Sequence, residues 1–129
     1  MMYSLDSNIV IGILRGKKEW SDKIEELSGE VVLTPVVLCE LFKGAHLATK
    51  HEEALNTVKE FIDGFEVLDF TQDACDLYGK MYAELKKRGR PTQESDLMIG
   101  CISLAHGATL ITHNHKDFSN IKGLKVISI

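Results

Sequence analysis

SDLMIGCISLAHGATLIT, Ser95 to Thr112, packs a helix and a strand together with almost nothing between them. Its first part, DLMIGCISLA, is apolar nearly all round, which suits a helix buried on most of its surface. Gly107 closes that helix, as glycine ends many helices. ATLIT, from Ala108, then has the β-branched and apolar content of an interior strand. A buried helix feeding directly into a buried strand predicts an α/β domain with a mostly parallel sheet and helices on both faces.

The rest of the chain repeats this alternation. Tyr3 to Leu5 reads as a short strand, and Asn8 to Leu14 as a helix closed near Gly16. Glu19 to Leu27 is a second helix, stopped by Ser28-Gly29. Val31 to Thr34 is a buried strand, after which Thr34-Pro35 supplies an N-cap and a proline in the first turn of a helix running to about Ala48. His51 to Ile62 is amphipathic, and Glu66 to Leu68 is a short strand. A long helix starts at Thr71, with Ala74, Leu77, Tyr78, Met81, Tyr82 and Leu85 on one face. Gly89 to Ser95 reads as a loop, His113 to Gly123 as a loop or short helix, and Leu124 to Ile129 as a last strand. No repeat, low-complexity segment or linker divides the chain, so residues 1–129 are expected to be one domain.

Composition narrows the class. The balance of 44% hydrophobic and 26% charged residues is that of a soluble globular protein. No apolar run approaches the roughly 18 residues of a membrane helix, and no signal-peptide pattern opens the chain. The expected location is therefore the cytoplasm. Cys39, Cys75 and Cys101 form no CxxC pair and predict buried free thiols in a reducing compartment. A net charge of −4 argues against nucleic-acid binding through overall charge. Local basic clusters remain: Lys86, Lys87, Arg88 and Arg90, with a smaller one from Arg15 to Lys18. They read either as solvated helix ends or as contacts for a polyanion.

Ligands of open parallel sheets bind outside the carboxyl ends of the strands. Asp6 follows the first strand, Glu40 lies on the second turn of the helix after Thr34, and Asp96 opens the helix that leads into ATLIT. Asp117 follows that strand by five residues. A parallel sheet gathers all four at one edge. Singly, Asp6 or Asp96 could be a helix cap and Asp117 a turn residue. Glu40 interrupts the apolar run VVLCELF, and a carboxylate there must be paired, metal-bound or at a cleft. Four close carboxylates repel one another, and a hard cation such as Mg²⁺ or Mn²⁺ relieves that. The chemistry that follows is metal-assisted phosphodiester hydrolysis.

LDSN, CELFKG, SDLMIGCISLAHGATLIT and HNHKDF, in this order and spacing, resemble the PIN-domain ribonucleases, most closely the VapC toxins of prokaryotic toxin–antitoxin pairs. The resemblance covers nearly the whole chain. It implies a PIN-like three-layer α/β/α fold with a mostly parallel sheet of about five strands, usually dimeric. It places the family's catalytic, metal-binding acids on Asp6, Glu40, Asp96 and Asp117, with Asp6 and Asp96 touching Mg²⁺ or Mn²⁺ most directly. Ser7, Asn8, Thr112 and Asn114 would orient ligands or waters. The implied activity is that of an endoribonuclease toxin, neutralised by a small antitoxin that pushes a basic side chain into the acidic site. Helices near Ile24 to Leu27 and Ala54 to Ile62 offer faces for that partner, or are ordinary core. The family's RNA targets are structured, such as tRNA or a ribosomal RNA loop. Arg15, Lys86, Lys87, Arg88 and Arg90 are the candidate RNA contacts.

Three other readings fail on the residues. HNH, His113 to His115, shares its letters with a nuclease motif whose three residues are dispersed, not adjacent. DSNIV lacks the second acid of a haloacid dehalogenase phosphatase, and no middle strand ends in the phosphoacceptor of a receiver domain. A catalytically inactive PIN-like binding module is the remaining alternative, and the four intact acids weigh against it.

Overall fold

The computed structural model describes residues 1–90 and 92–129. In chain order the elements are β1 (Met2–Leu5), α1 (Ser7–Leu14), α2 (Lys18–Glu25), β2 (Glu30–Leu33), α3 (Pro35–Leu47), α4 (His51–Ile62) and β3 (Glu66–Val67). Then come α5 (Gln72–Lys87), α6 (Glu94–Ala105), β4 (Thr109–Thr112), a 3-10 turn (His115–Phe118) and β5 (Val126–Ser128). The strands form one five-stranded sheet in the order β3-β2-β1-β4-β5, parallel at every junction.

Local chemistry sets the boundaries. Thr34 ends β2 because its hydroxyl accepts from the Val37 N–H at 3.3 Å, capping α3 with Pro35 in its first turn. Thr71 caps α5 in the same way through Ala74 N–H at 3.2 Å. Gly107 takes the left-handed conformation, φ +72°, that lets α6 turn straight into β4. The expected loop from Gly89 to Ser95 is shorter: position 91 lies outside the described residues, and Glu94 and Ser95 already belong to α6. Glu94 there is an acid in a first helical turn, where the helix dipole favours it.

Helices cover both faces of the sheet, giving three layers. On one face Val32 clusters with Ala74 of α5 and Ile102 of α6, and the Ser4 hydroxyl meets Ser103 of α6 at 2.7 Å. The other side of β1 and β2 presents Tyr3, Leu5 and Leu33 to a core that includes Trp20, Ile24, Val37, Leu41 and Val58. There α1 and α2 approach closely at Gly12, where a Cβ would run into the Trp20 ring. The expectation of buried thiols holds for one cysteine of three. Cys39 and Cys75 are exposed, and only Cys101 is buried, its thiol pushed up to about 11 by burial. Among the described residues no helix is long and apolar enough to cross a membrane.

The topology makes one crevice. From the central β1 the chain steps to β2 and β3, then returns past β1 to β4 on its other side. The carboxyl ends of β1 and β4 flank that reversal, the usual ligand position in open parallel sheets.

Candidate active site

Asp6 sits at the end of β1 and is the N-cap of α1, only 3% exposed. Its Oδ1 accepts from the Ser7 N–H at 2.8 Å and its Oδ2 from the Thr112 hydroxyl at 2.8 Å. Thr112 ends β4, and its Oγ1 in turn accepts from the Asn114 N–H at 3.0 Å. The Asp6 backbone N–H donates to the Ile111 carbonyl at 2.9 Å, tying the two strand ends together. Both carboxylate oxygens are thus held from opposite sides of the crevice.

Around it stand the other three acids. Glu40 lies on α3, half-buried, with Oε1 closed to solvent and without a hydrogen-bond partner among the described residues. Asp96 lies in the first turn of α6, half-buried. Asp117 is exposed on the 3-10 turn, whose Phe118 is anchored in the core at 1% exposure.

Asp6, Glu40, Asp96 and Asp117 lie within reach of one another's charge. Burial is the first cause raising Asp6, and the Asp117 charge adds to it, against the hydrogen bonds from Thr112 and Ser7. Burial also leads for Glu40, followed by the Asp6 charge, with the Ser7 hydroxyl and Lys43 acting the other way. Asp96 is pushed up to about 6 by burial, then by Asp6, Asp117 and Glu40. Asp96 is raised although it occupies a helix N-terminus, where the backbone dipole favours negative charge. Crowding and desolvation outweigh the dipole.

A hard divalent cation fits this donor set. All four groups are oxygen donors, three resist ionisation without a counter-charge, and Glu40 Oε1 has an unmet lone pair. Among the described residues no three His, Cys, Asp or Glu side chains stand close enough together to hold a metal ion between them. That suits an octahedral ion held by one or two carboxylates and several waters better than an all-protein site. Residues able to hold it are Asp6 and Asp96, with Glu40 and Asp117 within electrostatic reach.

The remaining candidates divide. Ser7 is buried beside Asp6, and Thr112 holds it directly. Asn114 contributes through its backbone, its side chain exposed, and Asn8 is exposed with no hydrogen bond to Asp6. His113 Nδ1 meets the Ile129 carbonyl at 2.7 Å and its ring packs on Trp20, so it does not face the acids. The cations split between two places. Arg15 lines a groove of about 500 Å³ between α1, α3 and α4, with Glu40 on its wall. Lys86 and Arg90 line a second cleft, beside the first turn of α6. Ala54 and Val58 line the first groove, whereas Ile24 to Leu27 do not, because α2 turns Ile24 into the core. Lys43, the cation acting on Glu40, escaped the sequence reading, although its i, i+3 spacing from Glu40 on α3 would have revealed it.

The PIN domain family pattern matches residues 3–124. Ribonuclease VapC1 of Haemophilus influenzae strain R2866 is 34% identical over 128 residues, 97% of this chain and 96% of that protein. The tRNA(fMet)-specific endonuclease VapC of Shigella flexneri is 29% identical over 126 residues, 97% of this chain and 96% of its own. Among solved structures, VapBC2 from Rickettsia felis, bound to a DNA fragment from its promoter, superposes with a TM-score of 0.94 at 27% identity, covering 100% of this chain and 99% of that one. VapBC-1 from nontypeable Haemophilus influenzae gives 0.90 at 33% identity, over 99% and 98% of the two chains.

Proposed function

The chain belongs to the PIN-domain family, and from that premise we propose that it is a metal-dependent endoribonuclease acting in the cytoplasm as the toxin of a toxin–antitoxin pair. The observation that carries the reading is the convergence of four carboxylates at the β1–β4 crevice, three of them held above their ordinary range with no full counter-charge. When bound, Mg²⁺ or Mn²⁺ would polarise a phosphoryl oxygen and make water a better nucleophile. Asp6 and Asp96 would hold the ion. Ser7 and Thr112 fix the Asp6 carboxylate so that neither oxygen swings away. Asp117, at the exposed rim, would take a proton at its carboxylate from the attacking water, and Glu40 would add its negative charge beside Asp6.

The names of the relatives support RNA as the substrate, and those of Shigella flexneri and Salmonella typhimurium point to tRNA. VapBC neighbours support a small antitoxin as partner. The α1–α3–α4 groove suits it: Ile11, Leu14, Leu41, Ala45 and Val58 offer apolar contact, and Glu40 on the same wall attracts a basic side chain. We also take the working unit to be a homodimer.

Purified protein should cleave RNA in Mg²⁺ or Mn²⁺, and Asp6→Asn with Asp96→Asn should abolish cleavage while circular dichroism stays native. Equal cleavage by the double variant would defeat the reading, and a wild-type chain that binds RNA without cutting it would favour the inactive module.

A further inference from the structure

We propose that the cleft between α5 and α6 is a base-holding subsite for single-stranded RNA, in which one nucleobase lies against Tyr82 and turns an amino edge to Glu94. This rests on the ribonuclease reading and adds a determinant of substrate choice beside the acids.

The cleft measures about 370 Å³, within the size of small-ligand pockets. Glu94 and Leu97, on its wall, bracket Asp96 in sequence, so the cleft and the acid site draw on the same first turn of α6. Leu85 and Leu97 are buried and make an apolar floor. Tyr82 is 42% exposed and is backed by Tyr78 with ring centroids 6.1 Å apart. An exposed aromatic face beside cations is how proteins take up unstacked bases.

Polar groups on the wall give the cleft a chemical preference. The Tyr78 hydroxyl donates to Glu94 Oε1 at 2.7 Å, which orients the carboxylate and leaves Oε2 without a donor among the described residues. A carboxylate only accepts, so it selects edges carrying amino groups, as in cytosine, adenine and guanine. Uracil offers one N–H between two carbonyl oxygens, which the carboxylate repels. Thr92 Oγ1, also on this wall, is shielded from solvent and has no hydrogen-bond partner among the described residues.

Charge argues for a polyanion as the occupant. Lys86 and Arg90 line the cleft, and Lys87 and Arg88 lie exposed between them in sequence, on a chain whose net charge is −4. A second copy of this chain would bring the same cations together, whereas a sugar-phosphate backbone neutralises them.

The test measures binding of octamers of C, A and U to the full chain in chelator, by fluorescence anisotropy, beside a metal-supported cleavage assay. Wild type should bind the C and A octamers more tightly than the U octamer. Tyr82→Ala should weaken all three by roughly 5- to 100-fold, the range that loss of one base stack produces, and Tyr82→Phe should restore binding. Glu94→Gln should erase the margin over U without loss of U binding. Unchanged affinity in Tyr82→Ala would overturn the subsite, as would a loss that tracks dissociation of an oligomer in light scattering. If wild type cleaves RNA but ignores these changes, only the subsite falls. If it neither binds nor cleaves RNA, the ribonuclease reading falls with it.

Discussion

Replacing Asp96 with asparagine should make the protein more stable at neutral pH when divalent cations are removed. Asp96 is pushed up to about 6, from an ordinary 3.8, by burial and by Asp6, Asp117 and Glu40. A carboxyl whose folded pKa is raised binds its proton more tightly when folded. It therefore imposes no penalty below pH 3.8, an increasing one between 3.8 and 6, and the full one above 6. A difference of about two on the pH scale corresponds to roughly 3 kcal/mol at most. Asp96 is only half-buried, and solvent screening cuts that to about 1.5 kcal/mol. Removing a negative charge from a helix N-terminus costs about 0.5 kcal/mol. The net gain is about 1 kcal/mol, or a rise in Tm of about 4 °C for a chain of this length. Thermal unfolding followed by circular dichroism in chelator, at pH 7.5 and pH 3.5, measures it. The gain should be present at pH 7.5 and absent at pH 3.5, and saturating Mg²⁺ should stabilise wild type more than the variant. A variant less stable than wild type at pH 7.5, or a gain independent of pH, would refute the account of crowded, desolvated carboxylates.

Three further outcomes are expected. Thr112→Val removes the donor to Asp6 Oδ2 and the acceptor for Asn114 N–H; cleavage should fall roughly 10- to 100-fold, and Thr112→Ser should retain most of it in the same kinetic assay. Gly12→Ala drives a methyl into the Trp20 ring and should cost about 1–3 kcal/mol, read by urea unfolding with Trp20 fluorescence as the probe. Charge reversal at Lys86, Lys87 and Arg88 should weaken RNA binding most at low salt and flatten the salt dependence; an affinity unchanged across a salt series would remove these residues from the RNA path.

Much of this was legible in the sequence where the governing interactions are local. The bounds of α4, His51–Ile62, follow from its amphipathic period, and the start of α3 follows from Thr34-Pro35. Cap chemistry and periodicity act over a few residues, so a single sequence carries them. The four acids were legible as a set because a parallel sheet sends them to one edge. Long-range choices were not. Thr112 and Asn8 were equal candidates to position Asp6, and the fold chose Thr112, 106 residues away, over Asn8 two residues away. The thiols show the same limit: Cys39 lies in an apolar run yet faces outward, because α3 buries Val37, Leu41 and Ala45 instead. An amphipathic pattern says that a face is covered, not what covers it, which is why Ile24 to Leu27 entered the expected groove and Arg15 did not.

The central position of β1 also has a consequence for synthesis. Asp6 is made 106 residues before Thr112, so one of its two hydrogen-bonded oxygens waits for that residue, and β1 stays open along one edge until β4 pairs with it. Domains form as units while the chain emerges at roughly 5–20 residues per second. A growing chain that has not yet passed β4 therefore carries three of its four acids but lacks the strand that fixes the first of them and the turn that brings the fourth. If the proposed activity holds, the order of strands acts as a safety catch: the acid site stays incomplete until β4 has been made and has paired with β1.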